Sequence, residues 1–357
     1  MSSRHVPAGL LHHGDVEARG MLDFAVNVAV AAPPQFVREA MQKALGGVAA
    51  YPDPVSATEA LAEHLGVAPE RVLLTNGAAE AFHLIARAVP WQAPMVLHPQ
   101  FTEPDSALRC AGYLPQHHIL TRDNGFTLDA DHLLAQVGPH TDVLFVGNPT
   151  NPTSRLHAAH DLLRLRAADR LLVVDEAFID LVPGEQDTLL RHAARGAGVL
   201  VIRSLTKTFG LAGVRAGYLV GDPDWIQACR TVQPHWSVNH LALAAVTACA
   251  SPAGVAHVHQ VAQRIAAHRP VLVQGLEAAG LQVVRPPAAP FVLAHHPQAE
   301  RLRLALRDKG IALRRADTFP GLGQNWLRIA VRDPACTEAL MAALADCSID
   351  DSVREDA

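Results

Sequence analysis

The stretch SLTKTFGLAGVRAG, residues 204–217, sets Ser204, Thr206, Lys207 and Arg215 in a glycine-rich segment just after the apolar run VLVI at 199–202. A lysine held between a strand end and a glycine loop, near an arginine that lowers its pKa, is poised to act as a Schiff-base amine. The hydroxyls of Ser204 and Thr206, with Arg215, supply the neutral and charge-assisted hydrogen bonds that suit a phosphate. The hydroxyls and the arginine also fit an ordinary polar loop, so the lysine carries more of the meaning.

Three other clusters could serve the same chemistry. TNGAAEAF at 75–82 turns from an apolar run into a helical pattern through Gly77, leaving the amides of Ala78 and Ala79 at a helix N-terminus, where the dipole attracts anions. Such a turn is equally a structural device until a second anion-binding group points at it. Asp175 ends the run LLVVD, where a carboxylate must find a partner or bear a desolvation cost; it reads as a helix cap or as the group that keeps a proton on a pyridine nitrogen. NPTNPTS at 148–154 is a proline-stiffened turn whose Asn151 could offer its amide to a ring oxygen.

These clusters need elements to position them. Short apolar runs (RVLL, MVL, VLFVG, LLVV, VLVI) alternate with helix-period segments at 77–89, 104–111, 129–136 and 157–168. Runs so short and continuously apolar suit strands buried on both faces, and the alternation predicts an α/β fold around a mostly parallel sheet. Ligands of such sheets lie beyond the carboxyl ends of the strands, where every cluster above falls. After residue 240 a long helical region over 241–279 leads to another helix over 298–309 and the run WLRIAVRDP, which predicts a smaller α/β layer.

Bulk properties fit a globular enzyme. The 357 residues are long enough for more than one core, and a net charge of −5 without basic tracts argues against nucleic acid. Five scattered cysteines form no CxxC pair, and no run is long enough for a bilayer, which suits a cytoplasmic protein without membrane contact. The 20 histidines include pairs at 12–13 and 117–118, but no HExxH or carboxylate–histidine motif accompanies them, so no metal is expected.

In order and spacing, the Gly77 turn, Phe101, NPTNPTS, VVDEAF, SLTKTFGLAGVRAGY and WLRIAVR resemble the fold-type I pyridoxal-phosphate enzymes of aminotransferase class I/II, from Asp23 to Pro334. The resemblance implies an aspartate-aminotransferase-like fold: an arm over 1–25 joining the small domain, a large cofactor domain over 26–238, a small domain over 239–348 and a disordered tail over 349–357. It implies that Lys207 carries pyridoxal 5'-phosphate as a Schiff base and moves the proton, that Asp175 pairs with the ring nitrogen and that Asn151 pairs with the ring hydroxyl oxygen. Ser204, Thr206, Arg215 and the amides of Ala78 and Ala79 would hold the phosphate, and Phe101 would stack on the ring. Tyr51 resembles the tyrosine that reaches the phosphate from a neighbouring subunit, implying a homodimer with shared sites. Arg328 matches the arginine that clamps a substrate carboxylate.

Within the family the sequence resembles the threonine-phosphate decarboxylase branch, with histidinol-phosphate aminotransferases as the alternative and a cofactor-binding regulatory protein as a remote one. HHGDVEARGMLDFAVN, HPQFTEPDSALRCAG and LRRADTFPGLGQNWLRIAVR point that way, as does Phe178, where many aminotransferases carry a tyrosine that donates to the ring oxygen. Arg314, with Arg315 as alternative, is expected to bind the substrate phosphate, and His12 and Asn27 to complete the pocket. One departure is NVAVAAPP, which lacks the Asn-Pro-x-Gly that usually follows the first asparagine.

Overall fold

The computed structural model describes residues 6–11, 14, 18–196 and 198–347; His12 and the tail over 349–357 lie outside them. The apolar runs become strands of a 7-stranded sheet, in the spatial order Val72–Asn76, Ala216–Val220, Val199–Ser204, Leu171–Asp175, Val143–Gly147, Met95–His98 and Gln116–Ile119. Ala216–Val220 pairs antiparallel with both neighbours, and the other strands run in one direction.

The continuous apolar runs follow from burial on both faces. Because side chains alternate across a strand, Leu144, Val146, Leu172 and Val174 enter one helix-covered core, and Val143, Phe145, Leu171 and Val173 enter the opposite one. Gln116–Ile119 escaped the sequence pattern because it is an edge strand with a polar composition, bonded through Met95–His98.

A 4-stranded antiparallel sheet, ordered Arg314–Arg315, Trp326–Ala330, Phe291–His295 and Gln282–Val283, forms the second layer. The single helical region expected over 241–279 is two helices, His240–Cys249 and Pro252–Ala278, bent by 77°. Ser251 causes the restart, its hydroxyl accepting from the amide of Gly254 as an N-cap. Ala242, Leu243, Ala245 and Val246 pack in the large-sheet core, whereas Val261, Ile265, Leu272 and Leu276 pack in the second, so the cores divide near the bend. Among the described residues no single helix is long and apolar enough to cross a membrane.

The N-terminal segment bridges the layers. Leu22–Asp23 pairs in parallel with Ile311–Ala312, Phe24 is buried in the second core, and a few residues on the amide of Ala29 donates to the carbonyl of Lys207 at 2.9 Å. The segment is thereby drawn across the carboxyl ends of the large sheet.

One contact in that region tolerates no side chain. A Cβ on Gly217 would stand 2.6 Å from the amide nitrogen of Ala78 and 2.7 Å from the carbonyl carbon of Gly77, both backbone atoms. Gly217→Ala is therefore expected to destabilise the protein by about 1–3 kcal/mol, as overpacking does. Denaturant unfolding measures this, and an unchanged midpoint would refute the close approach.

Candidate active site

A cleft of about 380 Å³ opens beyond the strand ends, and Lys207, Asp175, Asn151, Ser204, Thr206, Arg215, Ala78, Ala79, Phe101, Phe178, Asn27, Arg314 and Arg328 all line it. Three adjacent strands bring the central groups together. Leu171–Asp175 ends on Asp175, Val143–Gly147 leads into the turn that holds Asn151, and Val199–Ser204 leads into the short helix Thr206–Phe209 that carries Lys207.

The anion cradle is assembled from two separate sequence clusters, 75–82 and 204–217. Gly77 opens its helix at φ +75°, and the guanidinium of Arg215 lies so close that a Cβ there would meet Nη2 at 2.5 Å. The first-turn amides of Ala78 and Ala79 have no carbonyl within their own helix to bond, so they and Arg215 converge on one place. Ser204 Oγ accepts from the amide of Thr206 at 3.3 Å, and the Thr206 hydroxyl is buried without a partner among the described residues. A phosphate would satisfy it.

Asp175 supplies the other pole. Its Oδ1 accepts from the amide of Ala177 at 3.0 Å, which holds the carboxylate at the strand tip. Burial pushes its carboxyl up to about 6, against the opposing pull of that amide and of the Lys207 charge. A ring cation placed there would be stabilised by an otherwise costly carboxylate. Next door, Glu176 points away from the cleft and is bound by Leu189 N, Thr188 Oγ1 and Arg203 Nε, the last at 2.9 Å. This buried pair anchors the strand end, and no local pattern marks it because Arg203 lies 27 positions away.

Arg328 reaches in from the second layer. Its Nη1 donates to Asn151 Oδ1 at 2.8 Å and its Nη2 to the carbonyl of Ala25, while Nε is buried without a partner among the described residues. Burial, and then the neighbouring Arg314 charge, push its guanidinium well below the ordinary value, so the position demands an anion. Asn151 is left with its Nδ2 to donate. The amide of Asn27 is likewise buried with neither atom partnered among the described residues.

Not every expected residue arrives. Arg315 lies outside the cleft, where its Nε donates to Asp317 Oδ1 at 2.7 Å, because adjacent residues of a strand face opposite ways. Arg314 is the one that faces inward, braced by Arg315 O and Thr318 Oγ1. Tyr51 is 76% exposed, stacked on Trp236 at 4.3 Å, and does not line this chain's cleft. Phe178 lies with its ring centroid 6.0 Å from Lys207 Nζ and edge-on to Phe291, with no hydroxyl to offer. Phe319, Ala25, Val26 and Val28, which also line the cleft, carry no reactive group that the sequence could flag.

The family model for aminotransferase class I and II matches residues 19–347. The chain belongs to that family. It is similar to a histidinol-phosphate aminotransferase of Mycobacterium tuberculosis, 44% identical over 343 residues, covering 95% of this chain and 91% of the relative. A threonine-phosphate decarboxylase of Salmonella typhimurium is 32% identical over 336 residues, covering 91% and 90%. An aspartate aminotransferase structure from Thermus thermophilus with maleate matches with a TM-score of 0.85 at 25% identity, over 97% of this chain and 98% of that one. Enzymes of this family and fold depend on pyridoxal phosphate, and the protein is an enzyme of this kind. The partnerless Thr206 hydroxyl, the Gly77–Arg215 cradle and the Asp175 carboxylate fit that group.

A carboxyl raised from 3.8 to about 6 favours folding fully below pH 3.8, and the contribution is lost as pH rises through about 6. In the cofactor-free protein, the stability of wild type relative to Asp175→Asn should therefore fall between pH 4.5 and 7.5 by on the order of 2 kcal/mol. Parallel unfolding curves at the two pH values check this; a constant difference would contradict it.

Proposed function

We propose that the protein is a pyridoxal 5'-phosphate enzyme that decarboxylates O-phospho-L-threonine. The observation that carries this reading is the presence of two arginines, Arg314 and Arg328, in one cleft beside the anion cradle. Together they suit a small ligand with two anionic groups, an α-carboxylate and a phosphate. Arg328 would hold the carboxylate end and Arg314 the phosphate, with Asn27 completing the contacts. The proposed substrate and reaction also accord with the likeness to a threonine-phosphate decarboxylase.

The cofactor, when bound, supplies an electron sink that weakens whichever bond at the substrate Cα stands perpendicular to its ring. The chain does the positioning. Lys207 would hold the aldehyde carbon until the substrate amine takes its place, and its freed Nζ would then deliver a proton to Cα where the Cα–carboxylate bond breaks and carbon dioxide leaves. Asp175 would keep the proton on the ring nitrogen, and Asn151 would donate from Nδ2 to the ring oxygen. Ser204, Thr206, Arg215 and the amides of Ala78 and Ala79 would hold the phosphate of the cofactor, and Phe101 would cover the ring. Phe178 cannot donate to that oxygen, which leaves the task to Asn151. We further propose a homodimer in which the exposed Tyr51 reaches the partner's cofactor phosphate.

A second reading, transamination of histidinol phosphate with 2-oxoglutarate, is favoured by the 44% identity to the mycobacterial relative. The two readings differ in their need for an acceptor. Carbon dioxide release from O-phosphothreonine in the absence of any oxo acid supports the decarboxylase; glutamate formation from histidinol phosphate only with 2-oxoglutarate replaces it with the aminotransferase. Lys207→Ala should lower either activity by at least about 10²–10⁴-fold, the range for a lost proton-transfer group.

Arg314→Gln tests the phosphate assignment. Losing one charge-assisted contact of about 1.5–3 kcal/mol should raise KM for the phosphorylated substrate roughly 10–100-fold. Steady-state kinetics with an unchanged KM would remove Arg314 from substrate binding.

A further inference from the structure

The histidine pair at 117–118 has a meaning that adjacent letters concealed. Its residues sit on an edge strand and face opposite ways: His118 packs edge-on to His132 with ring centroids 6.0 Å apart, and His117 packs edge-on to His98 at 4.6 Å. His98 ends the neighbouring strand Met95–His98, whose Val96 pairs with His117 in register. Asp105, on the helix Glu103–Ala111, completes the group. His117 Nε2 lies 2.5 Å from Asp105 Oδ2, and His98 Nε2 lies 3.5 Å from the same oxygen. One ligand atom from each residue falls within 4.8 Å of the others.

We infer that His98, Asp105 and His117 form a binding site for one divalent transition-metal ion, of which zinc is the best match. Two imidazoles and one carboxylate are a zinc donor set, and the tetrahedral arrangement at Zn–N and Zn–O distances near 2.0–2.1 Å sets ligand atoms about 3.4 Å apart. The His98–Asp105 separation already has that size, and small side-chain rotations at His117 supply the rest. The side chains of His98 and Asp105 have no exposure at all, while that of His117 is 29% exposed, which gives the ion an entry path and room for a water as fourth ligand.

The group is also poorly explained as a hydrogen-bonded core. Among the described residues His98 Nδ1 has no hydrogen-bond partner, and its Nε2 meets Asp105 Oδ2 only at the long distance of 3.5 Å. Arg109, one turn along the helix, donates to Asp105 Oδ1, which leaves Oδ2 directed at the histidines. That guanidinium also repels a cation, so the affinity is expected to fall below that of an all-anionic cage while still retaining the ion through desalting.

The position gives the ion a consequence. Asp105 and His98 flank Phe101 in sequence, so an ion joining them to the edge strand would fasten the segment that carries Phe101 into the cleft.

The test uses the full chain, treated with a chelator, titrated with zinc alone and desalted before elemental analysis. Wild type should keep about one equivalent, and His117→Ala should bind at least about tenfold more weakly in competition with a chromogenic chelator. His118→Ala, which alters the opposite face of the same strand, should keep the equivalent. Circular dichroism checks that each variant is folded, and His117→Asn replaces the alanine variant if it is not. X-ray absorption of the loaded protein should show imidazole and oxygen ligands without sulfur. Zinc lost from wild type on desalting, zinc held equally by His117→Ala, zinc lost by His118→Ala or sulfur ligation would each overturn the site.

Discussion

A carboxylate at the tip of a buried central strand is the constraint around which this protein is organised. Asp175 sits where burial raises its pKa, a cost offset in part by the amide of Ala177 and the charge of Lys207, and a cation bound beside it would offset it further. The strands on either side then decide what stands next to it. Val143–Gly147 leads to Asn151 and Val199–Ser204 leads to Lys207, so parallel pairing by itself delivers an amide and an amine to the two flanks of the carboxylate.

The reversed strand Ala216–Val220 serves the same end. It starts where its neighbours finish, so Arg215 emerges beside Gly77 rather than at the far edge of the sheet. Its closest approach, Gly217 against the backbone of Gly77 and Ala78, lets the strand lie tight against the helix N-terminus. Arginine and amides thus share one anion position, and the Arg203–Glu176 pair on the other side keeps the strand ends from separating.

The second layer closes the cleft through few contacts. Arg328 ties Trp326–Ala330 to Asn151 and to the carbonyl of Ala25, and Arg332 donates to the carbonyls of Asp23 and Val26. Arg328 is buried without a carboxylate partner among the described residues, so a bound anion would both neutralise it and join the two layers. Binding of an anion and closure of the cleft would then answer one electrostatic need.

Much of this was legible in the amino-acid order. The continuous apolar runs, with polar residues at their ends, specified buried strands and the end at which chemistry collects, because a strand buried on both faces leaves no other place for a lysine or an aspartate. That Lys207, Asp175, Asn151 and Arg215 share one cleft was legible for the same reason, each lying within a few positions of a strand end. What remained hidden depended on side-chain direction or distant pairing. Adjacent Arg314 and Arg315 are equivalent as letters, and the strand alternation alone turned one inward and gave the other to Asp317. The edge strand at 116–119 was masked by its polar composition, and the helix break by the capping geometry of Ser251. His98, Asp105 and His117 follow no local spacing rule; only the pairing of two strands, with a helix laid over their ends, brings their ligand atoms together.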